Sequence, residues 1–260
     1  MMWRLGVVGS PIQHSLTPQL HDAGLAMAGL KGTSERIELK ASEAKKVKKW
    51  MGKKYDGLSV TMPLKGAAAK YCDVLGDVAT RTGVVNSLLY RDGVLHGANK
   101  DGQGFLDSLY GSFGVIVENL HVVVLGSGGA AAGIVDALVN AQVGSISVHA
   151  RNESKVDSLV RRYTNVYGHT LQYRPVDLIV NALPSHARKH EAAVMQGVTS
   201  DTIAVDITYE PRMSDWRALH DAEGCRTQNG LAMLAYQAAL QMQWWFETPI
   251  DGAHLLKVVS

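Results

Sequence analysis

The chain has 260 residues, of which 46% are hydrophobic and 19% charged, and its formal net charge is +2. This composition is typical of a globular protein of one or two domains, and the low net charge gives no reason to expect nucleic acid or a membrane as a partner. We predict a cytoplasmic protein without transmembrane helices. The two cysteines have no metal-ligand spacing, and the N-terminus has no signal-peptide pattern. No apolar run approaches the ~18 residues that a transmembrane helix needs.

The first hundred residues alternate short apolar strands with helical segments. Pro18 suits the first turn of a helix, so we predict a helix from there to about Leu30. Ser42 is predicted to cap a second helix that ends near Met51. The predicted strands are 5–8, 34–39 and 57–61, and they are followed by a helix after Lys65, a hairpin of 88–90 and 94–97 around Arg91-Asp92-Gly93, and a helix over 105–110.

A doubly wound unit is predicted from about residue 120 onward. Strands there alternate with helical stretches, which favours a mostly parallel sheet with right-handed crossovers. The predicted strands are 122–125, 145–149, 171–173, 178–181, 203–206 and 226–227, and a long apolar helix spans about 232–246.

The segment from Gly126 to Arg151 is the most informative part of the chain. A buried strand runs into Gly-Ser-Gly-Gly-Ala-Ala, which fits the dinucleotide fingerprint G-x-G-x-x-A, and a helix follows. The first glycine makes the tight turn, the second admits the pyrophosphate, and the small Ala131 lets the helix pack on the strand. The residues expected to form this phosphate loop are Gly126, Ser127, Gly128, Gly129 and Ala130.

The end of the following strand indicates which dinucleotide is bound. NAD proteins usually place an Asp or Glu there for the ribose 2′-hydroxyl. This chain has Ala150 and Arg151, then Asn152 and Lys155. There is no acid at that position to repel a 2′-phosphate, and two cations can bind it. The sequence therefore predicts NADP as cofactor, with Arg151, Asn152 and Lys155 at its 2′-phosphate.

Several polar motifs lie at predicted strand ends, where open α/β sheets bind ligands. They are His14-Ser-Leu-Thr-Pro18, Ser59-Val-Thr-Met-Pro-Leu-Lys65, Gly83-Val-Val-Asn-Ser87, Asn99-Lys-Asp-Gly-Gln-Gly-Phe105 and Asn229-Gly-Leu-Ala-Met-Leu-Ala-Tyr-Gln237. In this order the set resembles the shikimate dehydrogenase family, from about Gly6 to Trp245, and its Val-Thr-Met-Pro and Ala-Arg-Asn forms are closer to the actinobacterial branch.

The resemblance implies an α/β protein of two domains with the active site in a cleft between them. Residues 1–103 plus 232–260 would form the N-terminal α/β substrate domain, and 104–231 a Rossmann-type doubly wound NADP domain. The implied reaction is the reversible, NADPH-dependent reduction of 3-dehydroshikimate to shikimate, on the route to chorismate and the aromatic amino acids. The implied partners are small molecules, with no metal, and the protein would be a monomer or homodimer.

Two residues are expected to carry the chemistry. Hydride transfer to a ketone builds negative charge on its oxygen, so a positioned proton donor is needed. Lys65 is the candidate donor, because a lysine can both donate a proton and stabilise an oxyanion. Asp101 matches the family's aspartate, which pairs with the lysine and hydrogen-bonds a substrate hydroxyl.

The remaining site residues are carried over from the same resemblance. They are Ser15 and Thr17 at the substrate carboxylate, Tyr209 near it, Thr61, Asn86 and Gln237 at the ring hydroxyls, and Gly230 at the cofactor. Taken singly, each of the polar residues also suits a structural role. Ser15 and Thr17 could cap the first helix, for example, and Gln237 could be an ordinary polar helix residue.

Several features leave alternatives open. Lys100 stands where the family has threonine; it either points away from Asp101 in an extended chain or reaches the pocket and alters substrate preference. Ser59 replaces the family's usual asparagine. A quinate or aminoshikimate dehydrogenase, or a non-catalytic NADP sensor, is the alternative function. The lysine-rich segment 45–54 suits a solvated helix face, and His186 with His190 suits two surface histidines better than a metal site.

Overall fold

The computed structural model describes residues 2–169, 175–184 and 197–260. The chain divides into two compact units: unit 1 comprises Met1–Gly111 and Met233–Ser260, and unit 2 comprises Ser112–Ala232. Within the described ranges, no helix is both long enough and apolar enough to cross a membrane.

Strands and helices alternate along most of the chain. The strands are β1 (Met2–Gly9), β2 (Lys31–Glu38), β3 (Gly57–Val60), β4 (Val74–Leu75), β5 (Ser87–Arg91), β6 (Val94–Ala98), β7 (His121–Leu125), β8 (Ser145–His149), β9 (Val166–Gly168), β10 (Leu178–Asn181), β11 (Ile203–Asp206) and β12 (Arg226–Gln228). The helices are α1 (Thr17–Met27), α2 (Lys45–Trp50), α3 (Lys65–Ala69), α4 (Asp77–Thr82), α5 (Asp101–Phe113), α6 (Gly129–Asn140), α7 (Glu153–Val160), α8 (Asp215–Ala222), α9 (Leu231–Phe246) and α10 (Gly252–Val259).

Unit 1 contains a six-stranded mixed sheet in the order β2-β1-β3-β5-β6-β4. β1 pairs in parallel with β2 and β3, whereas β5 is antiparallel to both β3 and β6. The predicted hairpin is confirmed: Asp92 and Gly93 both have positive φ, at 51° and 81°. Two central residues of this kind make a turn whose twist matches that of the flanking strands.

The helix predicted from Ser42 is wrong in its start. A 3₁₀ turn over Ala41–Glu43 comes first, and α2 begins at Lys45 without a side-chain cap. The 3₁₀ turn is favoured because the Glu43 carboxylate accepts the backbone N–H of Lys40 and pairs with Lys46. The apolar residues Val47 and Met51 of this segment are buried.

Unit 2 contains a six-stranded parallel sheet in the order β12-β11-β10-β7-β8-β9. The strand order reverses at β7, the first strand of the unit, as it does in the doubly wound sheets of dinucleotide-binding folds. The predicted strand 171–173 and the pair His186 and His190 lie outside the described residues. The outer strand β9 was not predicted, nor were β4, α4 and α10.

Two helices of unit 1 approach closely, and their contact places the candidate site. A Cβ atom on Gly104 of α5 would lie 2.5 Å from Cβ of Gln237 on α9. Only glycine permits backbones to come this near at that point. The first turn of α5, with Asp101 at its start, is thereby brought against the middle of α9.

Candidate active site

Lys65 and Asp101 form an ion pair. Each is the first residue of its helix, α3 for Lys65 and α5 for Asp101. Lys65 Nζ donates to Asp101 Oδ2 at 2.6 Å, and the two side chains are 15% and 5% exposed. A charge-assisted bond this short, between groups largely removed from water, holds its partners more firmly than a surface ion pair does. The position of the ammonium is therefore set by the carboxylate.

Asn86 secures the other oxygen of Asp101. Its Nδ2 donates to Asp101 Oδ1 at 2.8 Å and to Gln237 Oε1 at 3.0 Å, while its Oδ1 accepts the backbone N–H of Lys100 at 2.8 Å. A backbone N–H can only donate and a carboxylate only accept, so the orientation of this amide is determined. Lys65, Asn86, Asp101 and Gln237, all predicted site residues, thus form one hydrogen-bonded cluster.

Asn99 fixes the start of α5. Its Oδ1 accepts the backbone N–H of Asp101 at 3.0 Å, in the manner of a helix cap. Asp101 therefore lies in the first turn, where the helix dipole favours a negative charge. The predicted start of this helix, Phe105, is therefore wrong by one turn. Gly102 and Gly104 weaken the local helical signal there, and the cap compensates.

The hydroxyls predicted at the substrate carboxylate contact each other. Ser15 Oγ donates to Thr17 Oγ1 at 3.1 Å and accepts the Thr17 backbone N–H at 3.3 Å. Arg36 Nε donates a hydrogen bond to the Ser15 carbonyl oxygen at 2.8 Å. Thr61 is half-buried directly after β3. Among the described residues, no hydrogen bond joins these three hydroxyls to the four-residue cluster, and Tyr209 belongs to unit 2.

The Lys100 side chain lies against α9. Its Nζ is 5.7 Å from the ring centroid of Trp244, which is within the range of a cation–π contact. Burial lowers the pKa of Lys100. The Asp101 carboxylate pairs with Lys65 and not with Lys100. Lys100 therefore contributes a half-buried cation beside Trp244, and within the described part of the chain the ion pair consists of Lys65 and Asp101 alone.

In unit 2 the glycine-rich turn joins β7 to α6. Gly126 has φ of 118°, and a Cβ there would lie 2.9 Å from the Ala182 carbonyl oxygen, so the turn requires glycine. Gly128 is the N-cap of α6, and a Cβ there would meet no atom of the described ranges within 4 Å. Among the described residues, no side chain caps this helix. Open space beside uncapped N–H groups at a helix N-terminus fits a phosphate.

Residues predicted at the 2′-phosphate follow β8. Arg151 and Lys155 are exposed, as an anion-binding role requires. The Asn152 side chain serves a structural purpose, because its Oδ1 accepts the Lys155 backbone N–H at 3.0 Å and caps α7. A Cβ on Gly230 would come within 2.0 Å of the Ile207 carbonyl oxygen, so this glycine is needed for backbone packing.

Further polar residues, which were not predicted as site residues, continue the cluster into the core. Gln241 Nε2 donates to Gln237 Oε1, and Ser59 Oγ donates to Gln241 Oε1. Ser59 Oγ in turn lies 3.0 Å from His21 Nε2. The available signal was the spacing of two glutamines one turn apart, hence on one face of an otherwise apolar helix.

Comparison with known proteins supplies the family. Residues 7–88 match the family model described as the shikimate dehydrogenase substrate binding domain. The shikimate dehydrogenase (NADP(+)) of Roseobacter denitrificans is 33% identical over 255 residues, which cover 93% of this chain and 91% of that one. The chain belongs to the shikimate dehydrogenase family. The family resemblance inferred from the ordered motifs is thereby confirmed.

Solved structures extend the likeness over the whole fold. The crystal structure of shikimate 5-dehydrogenase from Thermus thermophilus in complex with NADP(H) and shikimate is 30% identical, has a TM-score of 0.88, and covers 99% of this chain and 98% of that chain. The ligand-free 5-ketofructose reductase of a Gluconobacter species is 26% identical with a TM-score of 0.84, and covers 100% and 97%. The predicted α/β fold, with a Rossmann-type second unit, is confirmed for this shikimate dehydrogenase family member.

Proposed function

We propose that this protein catalyses the reversible, NADPH-dependent reduction of 3-dehydroshikimate to shikimate. The single observation that carries the proposal is the short Lys65–Asp101 ion pair, extended by Asn86 and Gln237. Family membership supports the assignment of this pair to the ketone and ring hydroxyls of the substrate. On this proposal unit 1 binds the substrate and unit 2 binds NADP. The protein would act in the cytoplasm as a monomer or homodimer.

Lys65 is the proposed proton donor. NADPH supplies the hydride when it is bound, and the carbonyl oxygen that becomes negative must then be protonated. An ammonium has three N–H groups, and the bond to Asp101 occupies one, so another can be directed at the substrate oxygen. The proton moves from Nζ to that oxygen, and the neutral amine is reprotonated from water. In the reverse direction the neutral amine accepts the hydroxyl proton.

The other side chains of the cluster are proposed to orient the ring. Asp101 retains lone pairs that can accept a hydrogen bond from a ring hydroxyl while it holds Lys65. Asn86 and Gln237 would present their amides to neighbouring hydroxyls, and the cluster would bind a polyhydroxylated ring. The roles of Ser15 and Thr17 at the carboxylate, and those of Thr61 and Tyr209, stay predictions.

NADP is proposed to bind to unit 2 through two sets of residues. The turn formed by Gly126, Ser127, Gly128, Gly129 and Ala130 would hold the pyrophosphate, supported by the open space at Gly128 and the uncapped start of α6. Arg151 and Lys155 would hold the 2′-phosphate as exposed cations. Asn152 would contact NADP only through side-chain atoms that its capping hydrogen bond does not use. Gly230 stays a predicted contact of the cofactor.

The test is NADPH oxidation, followed by absorbance, with 3-dehydroshikimate as substrate and NADH in a parallel reaction. We expect rapid loss of NADPH and little loss of NADH. Because a related fold is that of 5-ketofructose reductase, 5-ketofructose and, in the oxidative direction, quinate should be compared under the same conditions. Turnover of one of these in preference to 3-dehydroshikimate or shikimate would reassign the substrate, and binding of NADP without any turnover would favour a sensor.

A further inference from the structure

A chain of buried hydrogen bonds leads from the core of unit 1 to Gln237. His21, Ser59 and Gln241 belong to it, and they are 0%, 5% and 1% exposed. Ser34 Oγ lies 2.8 Å from His21 Nδ1, and His21 Nε2 lies 3.0 Å from Ser59 Oγ. Ser59 then bonds Gln241, which bonds Gln237. From His21 to Gln237 the path runs through buried side chains, where an unmade hydrogen bond is costly.

The polarity of the chain is determined at its Gln237 end. Asn86 presents an N–H to Gln237 Oε1, because its own oxygen is held by the Lys100 backbone N–H. Gln237 Oε1 is therefore an acceptor, and Gln241 must turn its Nε2 towards it. Gln241 Oε1 then faces Ser59, whose hydroxyl donates to it.

The rest of the chain follows the same direction. With its own proton used on Gln241, the Ser59 hydroxyl accepts from His21 Nε2–H, and His21 Nδ1 accepts from Ser34. This assignment requires a neutral imidazole at His21. Full burial of the ring lowers the pKa of His21 to about 3, which is consistent with that form.

The Gln237 carboxamide is therefore held in one orientation. Two donors, from Asn86 and Gln241, converge on its Oε1. Rotation of the amide by half a turn would place its NH₂ against both donors. One N–H of Gln237 donates to the Leu234 carbonyl oxygen at 2.9 Å, and the other has no partner among the described residues.

We propose that Gln241 is a positioning residue that holds the Gln237 carboxamide so that its remaining N–H is presented to a hydroxyl of the substrate. The inference deepens the proposed function and rests on it. Gln241 itself does not touch the substrate on this proposal; it acts through Gln237. Ser59, which stands where the family pattern has asparagine, holds Gln241 in turn by donating a hydrogen bond to its Oε1.

The first test replaces Gln241 with a side chain of similar length that cannot hydrogen-bond. With saturating NADP⁺, Gln241→Met should raise KM for shikimate about five- to tenfold, as expected for one weakened hydrogen bond. Both kcat and KM for NADP⁺ should stay within about twofold, because the lost contact contributes equally to ground and transition states. Gln243→Met, an exposed position on the same helix, is the matched control and should leave all three constants unchanged.

The second test is a double-mutant cycle. In a Gln237→Ala background, Gln241→Met should change KM for shikimate by less than about twofold, because the residue through which it acts is gone. A residue that merely stabilises α9 would raise KM by the same factor in both backgrounds. That result would overturn the proposal.

The third test distinguishes donation from packing and does not depend on the methionine variant's folding. In Gln241→Glu, the introduced carboxyl can donate to Gln237 Oε1 and accept from Ser59 while it is protonated, but it cannot donate when it is ionised. The ratio of variant to wild-type KM for shikimate should therefore rise with pH. A ratio that is independent of pH would contradict the proposed role.

The wild-type chain, assayed alongside, separates failure of the proposed function from failure of the positioning role. Absence of turnover by the wild type would overturn the proposed function and this inference with it. Turnover by the wild type together with an unchanged KM for shikimate in Gln241→Met would overturn the inference alone.

Discussion

At the scale of single residues, the proposed chemistry depends on one ammonium held by one carboxylate. Asp101 is the more buried partner, and both of its oxygens have donors, from Lys65 and Asn86. Lys65 keeps some exposure to solvent, which lets water return a proton to its amine after turnover. Removing the ammonium should therefore affect the reaction step more than binding of the substrate.

Lys65→Ala should lower kcat at least about 100-fold, the usual contribution of a general acid, while KM for shikimate changes by only a small factor. Steady-state kinetics in both directions would measure this. Lys70→Ala, an exposed lysine at the other end of α3, is the control and should behave as wild type. A kcat within a few-fold of wild type in Lys65→Ala would contradict the proposed role of this residue.

The selectivity for NADP should depend on an exposed cation after β8. Arg151→Ala should raise KM for NADPH about tenfold or more, because one charge-assisted hydrogen bond to the 2′-phosphate is lost. KM for NADH, which lacks that phosphate, should not change. Arg161→Ala, another exposed arginine of unit 2, is the charge-matched control. Equal effects of Arg151→Ala on both cofactors would assign Arg151 a different role.

At the scale of elements, the two glycines of the turn between β7 and α6 are needed for different reasons. Gly126 has a φ of 118° and lies against the Ala182 carbonyl, whereas Gly128 has an ordinary φ of −78° and open space beside it. The first glycine is required by the protein's own backbone. The second leaves space beside it that no residue in the described part of the chain occupies.

Alanine substitutions should distinguish the structural role of Gly126 from the cofactor-binding role of Gly128. Gly126→Ala should reduce the free energy of unfolding by about 2 kcal/mol or more, since it adds both a strained φ and a close contact. Gly128→Ala should leave stability within about 1 kcal/mol of wild type but raise KM for NADPH, because the new methyl occupies space needed for the pyrophosphate. Urea denaturation and steady-state kinetics measure the two quantities. Similar stability losses in both variants would refute the distinction.

Elements whose residues are close in sequence could be predicted well. The strands around the dinucleotide fingerprint are apolar runs, and the first of them ends at a glycine. The hairpin turn is indicated by Asp92-Gly93. Local sequence patterns were therefore sufficient to predict these elements. Short or capped elements were harder to predict. The start of α5 depends on Asn99, and β4 contains only Val74 and Leu75.

The candidate site was predictable only in part, for a related reason. Lys65 and Asp101 stand in motifs that the family resemblance identifies. The contact between Ser59 and Gln241 joins residues 182 positions apart, and no periodicity or spacing reports such a pair. The same holds for His21, which the sequence alone presents as an ordinary helix residue.

At the scale of the whole molecule, burial of His21 couples folding to pH. Burial lowers its pKa from 6.5 to about 3. Between these values the unfolded chain binds a proton at this residue and the folded chain does not, so the free energy of unfolding falls as pH falls. The expected slope from His21 is about 1.4 kcal/mol per pH unit, and the contribution is complete above pH 6.5.

Urea denaturation at a series of pH values between about 4 and 8 would measure this coupling. Burial also lowers the pKa of His149 and His220, so the wild-type slope contains several contributions. His21→Gln isolates the contribution of His21, because the glutamine amide does not titrate. The free energy of unfolding of this variant should fall less steeply with falling pH, by the amount that corresponds to about one proton. Identical slopes for the two proteins would show that His21 binds a proton as readily in the folded chain as in the unfolded chain, and would contradict this coupling.

Unit 1 is assembled from two separated stretches of chain, with all of unit 2 between them. On the ribosome, Lys65 and Asp101 emerge well before Gln237 and Gln241, and the fully buried Trp245 emerges later still. Unit 2 is continuous and can fold as soon as its own residues are available, since domains fold as units during synthesis. A nascent chain should therefore acquire the ability to bind nucleotide before it can bind substrate.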